Sequence, residues 1–427
     1  MGTQQTCGRT YGPTGRWIAL AALALSAAVV AASPASAADY WTDGCCADLE
    51  ERLIALESTA ARRGNRVVSL TVSGWVNQAV FLWDDGVEDN VYVGTNSLEQ
   101  ERFKIAGEAK IGGDWSVGYV LEVGSVGADS KAFSQTSTGV KNTLNTRKSS
   151  WFVKSGTFGK VTVGQDATAT YHLLNDPDIA NTRFYSDSEA SAVALGAFRT
   201  RSNGALGPRW TDVMGGFSNA TPGLSARRNV VRYDTPVVGG FTASAAWGED
   251  DMWDAALIYA DTWGDLKVAA RAGYGESTDP TSIAGRCTAG NGDCRWWGAA
   301  GTVMHVPTGL YVYAAYGEDQ IDLTPAQIGA DDTATMWFVQ AGVERHLMPL
   351  GKTTIFAEYR NDDVGLSRAA VGSEIEFWAA GVVQNIENAG MDLYAIYRNA
   401  SGRADTGGGM AALDDLDMVI TGARIQF

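Results

Sequence analysis

Val68-Ser69-Leu70-Thr71-Val72-Ser73-Gly74-Trp75-Val76-Asn77 alternates with a period of two. Val68, Leu70, Val72, Gly74 and Val76 fall on one face, and Ser69, Thr71, Ser73 and Asn77 on the other. Successive side chains of a strand point to opposite faces, so this is a strand with one apolar and one polar or small face. The pattern returns far downstream. Trp115, Val117, Tyr119, Leu121 and Val123 alternate with Ser116, Gly118, Val120 and Glu122, and Leu266, Val268, Ala270, Ala272 and Tyr274 with Lys267, Ala269, Arg271 and Gly273.

Composition agrees with a β protein. The 427 residues include 50 Gly but 10 Pro, with 14 Trp, 15 Tyr and 13 Phe, a set enriched in strand formers. Charged residues make up 19%, below the roughly 25% of an average soluble domain. Lys and Arg number 33 against 49 Asp and Glu, a net charge of −16, which argues against nucleic acid as a partner because its binders carry a basic footprint. Arg9 and Arg16, the apolar run from Trp17 to Ala32 and Ala35-Ser36-Ala37 predict a cleaved signal peptide over residues 1–37 and hence export. After it no apolar stretch reaches the ~18 residues of a membrane-spanning helix. Residues 38–66 are expected to be a periplasmic segment with a short helix, since Leu49, Leu53, Leu56 and Ala60 follow a 4-3-4 spacing. Fewer than two heptads need something to pack against.

Turns set the architecture over 67–427. Seven short connections stand at 112–114, 156–160, 236–240, 261–265, 306–309, 348–351 and 387–390. Longer or variable ones lie between them, at 84–97, 126–145, 167–225, 250–252, 275–294, 319–332, 362–373 and 400–414. Together they join sixteen strands, tight on one side and long on the other, and an even number leaves both ends on the same side. A soluble sandwich or propeller would keep charges away from its strand centres. Here Arg102, Lys104, Glu108, Arg271, Glu358, Arg360 and Arg424 sit between apolar neighbours, as residues lining a lumen would. Trp115, Trp151, Tyr233, Phe241, Trp263 and Tyr311 crowd the strand ends like an interfacial girdle. The expected fold is all-β, a 16-stranded antiparallel transmembrane β-barrel with a short N-terminal periplasmic helix. In the last strand Val419, Thr421, Ala423, Ile425 and Phe427 share a face, and a terminal Phe there resembles the signal read by the barrel-assembly machinery.

Several stretches together resemble a known family. Cys45-Cys46-Ala47-Asp48-Leu49-Glu50-Glu51-Arg52 and Gly64-Asn65-Arg66 before the opening strand are similar to the mature start of alphaproteobacterial general-diffusion porins. So are Trp83-Asp84-Asp85-Gly86, Phe158-Gly159-Lys160-Val161-Thr162-Val163-Gly164-Gln165, Arg232-Tyr233-Asp234-Thr235-Pro236 before Gly240-Phe241, and Phe427. The resemblance implies a homotrimer in outer-membrane lipid with both termini periplasmic. Each protomer would form a water-filled passive channel for small hydrophilic solutes and ions. It also implies that the loop after the fifth strand folds inward, and residues 167–225 occupy that place. This loop would supply an acidic side of the constriction from Asp176, Asp178, Asp187, Glu189 and Asp212, alongside Arg183, Arg199, Arg201 and Arg209. The wall would supply a basic side from Arg102, Lys104, Arg228, Arg232, Arg271, Arg360 and Arg424. Opposite charges across a constriction make a transverse field that orients polar solutes and filters ions, and the negative net charge predicts a mild cation preference.

Other chemistry finds little support. His172, His305 and His346 are the only histidines, and none stands with a Ser as a barrel hydrolase would need. No Gly-rich phosphate loop precedes a helix. Cys287 and Cys294 lack His neighbours, so no metal or other cofactor is expected. In an exported loop they are expected to form a disulfide. Two alternatives stay open: a sugar- or anion-selective channel, and a non-conducting structural or adhesin barrel.

Overall fold

The structure is a computed structural model describing residues 68–188, 195–214, 226–249, 251–278, 286–287, 293–327 and 329–427. The expected signal peptide, the N-terminal helix, Cys45, Cys46 and Glu189 lie outside the described residues. The first half of the chain forms β1 (Thr71–Asp84), β2 (Asp89–Thr95), β3 (Arg102–Gly112), β4 (Trp115–Ser134), β5 (Ser137–Ser155), β6 (Gly159–Ala167), a small hairpin of β7 (Arg199–Ser202) and β8 (Ala205–Arg209), and β9 (Arg227–Asp234). The second half forms β10 (Phe241–Gly248), β11 (Met252–Trp263), β12 (Leu266–Ser277), β13 (Cys294–His305), β14 (Leu310–Ile321), β15 (Thr333–Met348), β16 (Gly351–Val364), β17 (Gly372–Ile386), β18 (Met391–Asp405) and β19 (Met410–Gln426).

All but β7 and β8 join one sheet of seventeen strands. Two of these are halves of a single stave: β1 pairs with β2 from Gln78↔Thr95 to Asp84↔Asp89, and with β3 from Thr71↔Ala106 to Trp75↔Arg102. Between the halves Ser97–Glu99 makes a 3-10 turn, capped by the Asn96 side chain accepting from Leu98 N at 3.3 Å. The barrel therefore has sixteen staves. It closes where β1 meets β19, from Trp75↔Gln426 to Asp84↔Asp417. Neighbouring staves run antiparallel, with one parallel bridge at Thr95↔Asp129.

The seven short connections fall at one end, as expected. In the β9–β10 turn Gly239 and Gly240 adopt φ of +57° and +83°, a region a side chain disfavours. Three stretches expected to be long loops are largely strand, among them 400–414, where β18 runs on to Asp405 and β19 begins at Met410. The 84–97 stretch turns within four residues, because the Asp85 side chain accepts from Val87 N at 3.1 Å and Glu88 N at 2.8 Å, and β2 then begins. Over 126–145, β4 and β5 continue as a hairpin. The Phe133 ring near its tip packs 5.1 Å from Phe81 and 5.2 Å from Tyr92, which stabilises strands whose polar sequence hides them.

Burial is inverted relative to a soluble protein. On β14 the outward Leu310 and Val312 are 58% and 54% exposed, whereas the inward Tyr313 is fully covered. Apolar side chains likewise face outward on most other staves, a continuous patch far beyond what soluble monomers carry and what lipid requires. A row of Trp–Tyr pairs follows this face: Trp253–Tyr274, Trp297–Tyr316, Trp337–Tyr359 and Trp378–Tyr397, with ring centroids 4.9–5.5 Å apart. Trp115, Trp151, Tyr233, Phe241 and Trp263 also face outward. Tyr311 does not. It points inward and donates to Gln340 Oε1 at 2.8 Å, because its place in the alternation belongs to the inner face.

Phe427 helps to close the barrel. Its N–H donates to Gly74 O at 3.0 Å and its carbonyl accepts from Gly74 N at 2.9 Å, with its ring over the space a Cβ at residue 74 would need. Deleting Phe427 removes both bonds and the lipid-facing ring. The expected result is a lower yield of folded barrel, read as loss of heat-modifiable migration on gels. Undiminished yield would refute the role.

Candidate lumen constriction

The connection between β6 and β9 is built from short polar residues that bond to inward side chains of the wall. At its start Asp254 on β11 accepts from Ala169 N (2.9 Å), Thr170 N (2.8 Å) and Thr170 Oγ1 (2.6 Å). Trp296 on β13 donates to Thr170 Oγ1 at 3.2 Å, and Tyr313 on β14 donates to Leu174 O. Farther along, Asn181 N donates to Glu344 Oε2 on β15 at 3.1 Å, and Ser186 Oγ to Glu358 Oε1 on β16 at 2.6 Å. Tyr185 OH donates to Asp392 Oδ2 on β18 at 2.5 Å, and its ring stacks on Tyr394 at 4.5 Å. Residues 168–188 thus run inside the barrel along the wall from β11 to β18. The β7–β8 hairpin sits nearer the mouth, where Arg201 pairs with Asp85 at 2.6 Å and Ser202 Oγ donates to Ala412 O at 2.8 Å.

A chain of ion pairs crosses the lumen from this loop. Arg147 on β5 meets Glu122 on β4 at 2.8 Å, and Glu122 meets Arg102 on β3 at 3.3 Å. Arg102, stacked 4.4 Å from the centroid of Trp75, also pairs with Glu99. Glu99 lies 3.6 Å from Arg183 on the loop, Arg183 2.6 Å from Asp176, and Asp176 2.5 Å from Arg271 on β12, well across the sheet order from β3. The chain alternates in sign and ends in a guanidinium at both ends, four arginines against three carboxylates. Flanking pairs are balanced: Arg232–Asp234 at 2.7 Å and Lys148–Asp166 at 2.7 Å. Arg227 adds a further cation, donating to Tyr171 OH and lying 5.2 Å from its ring centroid. His172 contributes no charge. Burial, then the nearby Arg183 and Arg227, hold its pKa well below the ordinary histidine value, while Nδ1 lies 2.9 Å from Asn175 Oδ1.

The residues expected at the constriction separate into groups. Arg102, Arg232, Arg271 and Asp176 meet in the lumen, and Lys104 sits on the same inner face, opposite Glu122 in register. The others are placed differently. Asp187 is fully covered, accepting from Asn175 Nδ2 at 3.0 Å, because the loop packs that side chain between itself and the wall near Arg398. Arg360 is fully covered, pairs with Asp362 at 2.7 Å and donates to Ser188 O, so it holds the loop from behind. Arg424 is covered by the Phe184 ring at 3.7 Å and lies 3.8 Å from Asp392. Arg228 is buried 3.8 Å from Glu249, and Asp212 lies near the mouth, 3.9 Å from Arg368. Cys287 and Cys294 are disulfide-bonded, with Cα atoms 5.7 Å apart, and are buried with Met252, Trp296 and Ile321. Among the described residues, no three His, Cys, Asp or Glu side chains converge as a metal site requires. Glu99, Glu122, Arg147 and Asp254 join the site beyond those the sequence points to. For Glu122 the strand alternation carried the signal, whereas Glu99 owes its place to the 3-10 break.

Asp178 folds back on its loop, accepting from Thr182 Oγ1 at 2.5 Å and Ala180 N at 2.9 Å. Burial pushes its pKa up to about 8, so it is mainly protonated at neutral pH and adds little to the field. The folded loop therefore binds a proton that an unfolded Asp releases near its ordinary value. The proton-linked stability is full below that value and is lost as pH rises to about 8. Raising pH from about 6 to about 9 is expected to increase open-channel noise in the parent, and Asp178→Asn is expected to abolish that dependence. An unchanged pH response in the variant would refute it.

Comparison with known proteins places this arrangement. Residues 19–405 match the model of the Gram-negative porin family. Outer membrane porin protein 32 of Delftia acidovorans is 28% identical over 206 residues, 48% of this chain and 50% of that protein, so the match spans about half the length of this curated relative. Among solved structures, an anion-selective porin from Comamonas acidovorans superposes with a TM-score of 0.58 at 17% identity, covering 84% of this chain and all of that one. The in-vitro folded trimer form of OmpT from Vibrio cholerae gives 0.52 at 13% identity, covering 84% and 100%. With most of its length matched by the family model and a closed barrel that turns apolar side chains outward, the chain belongs to the Gram-negative porins, integral β-barrels of the outer membrane.

Proposed function

We propose that the protein is a homotrimeric passive channel for small hydrophilic solutes and ions, with a preference for anions. The observation that carries the preference is the excess of guanidinium over carboxylate in the chain from Arg147 to Arg271. It replaces the cation preference expected from the negative net charge. Many of the acids responsible, such as Asp251, Asp261, Asp265 and Asp405, stand in or beside the connections at the barrel ends. Charges there are screened over about 8 Å at physiological salt, whereas partly buried charges at a narrow constriction are screened much less. The anion selectivity named for one structural neighbour points the same way. What supports the trimer is the outer face. Where β11 to β18 carry the Trp–Tyr row, Gln78, Ser149 and Gln165 turn outward on β1, β5 and β6, and Gln78 Nε2 lies 2.5 Å from Glu101 Oε1. Polar groups are costly against lipid and are accommodated by another protomer.

The test is the purified protein in a planar bilayer under a salt gradient. Conductance with an anion-preferring reversal potential is expected. Absence of conductance would favour a structural barrel, and a cation-preferring potential would overturn the charge assignment.

A further inference from the structure

We propose that Arg183 and Arg271 form an oxyanion-binding site in the lumen whose resident occupant is the carboxylate of Asp176, so that passing carboxylates and phosphates bind by displacing it. The inference rests on the anion-preferring reading above and names the chemistry of the solute that the site takes. Each carboxylate oxygen is held by a different guanidinium: Oδ1 by Arg183 from the loop at 2.6 Å, Oδ2 by Arg271 from the wall at 2.5 Å. Planar guanidinium forks suit carboxylate and phosphate oxygens. The three side chains are 21–24% exposed, whereas the guanidiniums behind the loop, Arg360, Arg398 and Arg424, are at most 3% exposed. A solute in the lumen can therefore reach the clamp and not the structural pairs.

The backbone at Asp176 is fixed. Its N–H donates to His172 O at 3.0 Å and Pro177 follows, so displacement requires only rotation of the side chain. With that carboxylate gone, Arg183 keeps Glu99 at 3.6 Å and Arg271 has no other described ion pair. Arg232 lies near enough to repel Arg271. The clamp without its occupant thus keeps two guanidiniums with Glu99 as the remaining carboxylate beside them, and a solute oxyanion replaces one carboxylate by another. Like-for-like exchange keeps binding weak. A channel needs this, since its sites must admit a solute and also let it go. Asp176 acts as a built-in competitor that shortens the stay of each anion.

The test uses the full-length trimer and inorganic phosphate as probe. The parent is expected to pass chloride current with little block by phosphate. Asp176→Asn is expected to show saturable block with an apparent affinity at least about tenfold higher, about 1.4 kcal/mol. Adding Arg271→Gln should abolish the gain. Glu122→Gln removes one carboxylate from the same chain without emptying the clamp, and is expected not to produce the block. Phosphate block in Asp176→Asn no stronger than in the parent, or equal gain in Glu122→Gln, would overturn the site. Reversal potentials on the same channels separate the two ideas. An anion-preferring parent without the gain refutes the clamp alone, and a cation-preferring parent refutes both. Heat-modifiable migration of each variant checks that the barrel has folded.

Discussion

Replacing Arg183 and Arg271 together by Gln is expected to reverse the proposed anion preference and make the channel cation-preferring. The chain of four arginines and three carboxylates would become two against three, with the remaining pairs on the β3–β5 side intact. Unit charges about 4 Å away interact by about 1 kcal/mol in water and about 4 kcal/mol near a protein surface. Even the lower figure changes an ion ratio about fivefold. Single substitutions, Arg271→Gln or Arg102→Gln, should move the reversal potential part of the way, and Asp176→Asn should move it toward anions. Asp178→Asn and Asp187→Asn should leave it at the parental value, since the first side chain is mainly protonated and the second fully covered. A shift in either equal to that of Asp176→Asn would mean that the lumen charges are misassigned.

Asp254→Ala is expected to release the start of the inward loop. The carboxylate accepts three hydrogen bonds from Ala169 and Thr170, each worth about 1.5–3 kcal/mol when the acceptor is charged. Alanine leaves those donors without that acceptor, and Trp296 then loses a positioned partner in Thr170. Single-channel conductance should rise, with greater open-channel noise, while the folded barrel persists, because the stave ladders do not depend on the residue. Asp254→Asn keeps an acceptor and should be intermediate. Parental conductance and noise in Asp254→Ala would show that the loop is held by its other contacts alone.

Much of the architecture was legible because it is local. Period-two alternation at Val68–Asn77, Trp115–Val123 and Leu266–Tyr274 reports a strand wherever it sits, and the short turns reported its ends. The hairpin over 126–145 escaped because its stabilisation comes from Phe133 packing on Phe81 and Tyr92, rings contributed by other staves. Proximity to a turn suggests a girdle place for Tyr311 but does not reveal a face, and alternation counted through β14 places it inward.

The stave number, the outward apolar band and the inward placement of mid-strand charges are all set in the sequence, since each follows from turn spacing and alternation along successive segments. Only the tertiary structure decided which of those charges face water. Arg271 and Arg360 read alike, each a mid-strand base on the inner face of the alternation. The loop packs over β13 to β18 and covers Arg360, while it meets Arg271 with a single carboxylate and leaves it reachable. That loop has no period to betray its course. Its path is set by hydrogen bonds to the side chains of Asp254, Glu344, Glu358 and Asp392, partners 85 or more residues away in the chain. The balance of charge in the lumen follows from that path, and composition, which counts every acid on the outside as well, points to the opposite sign.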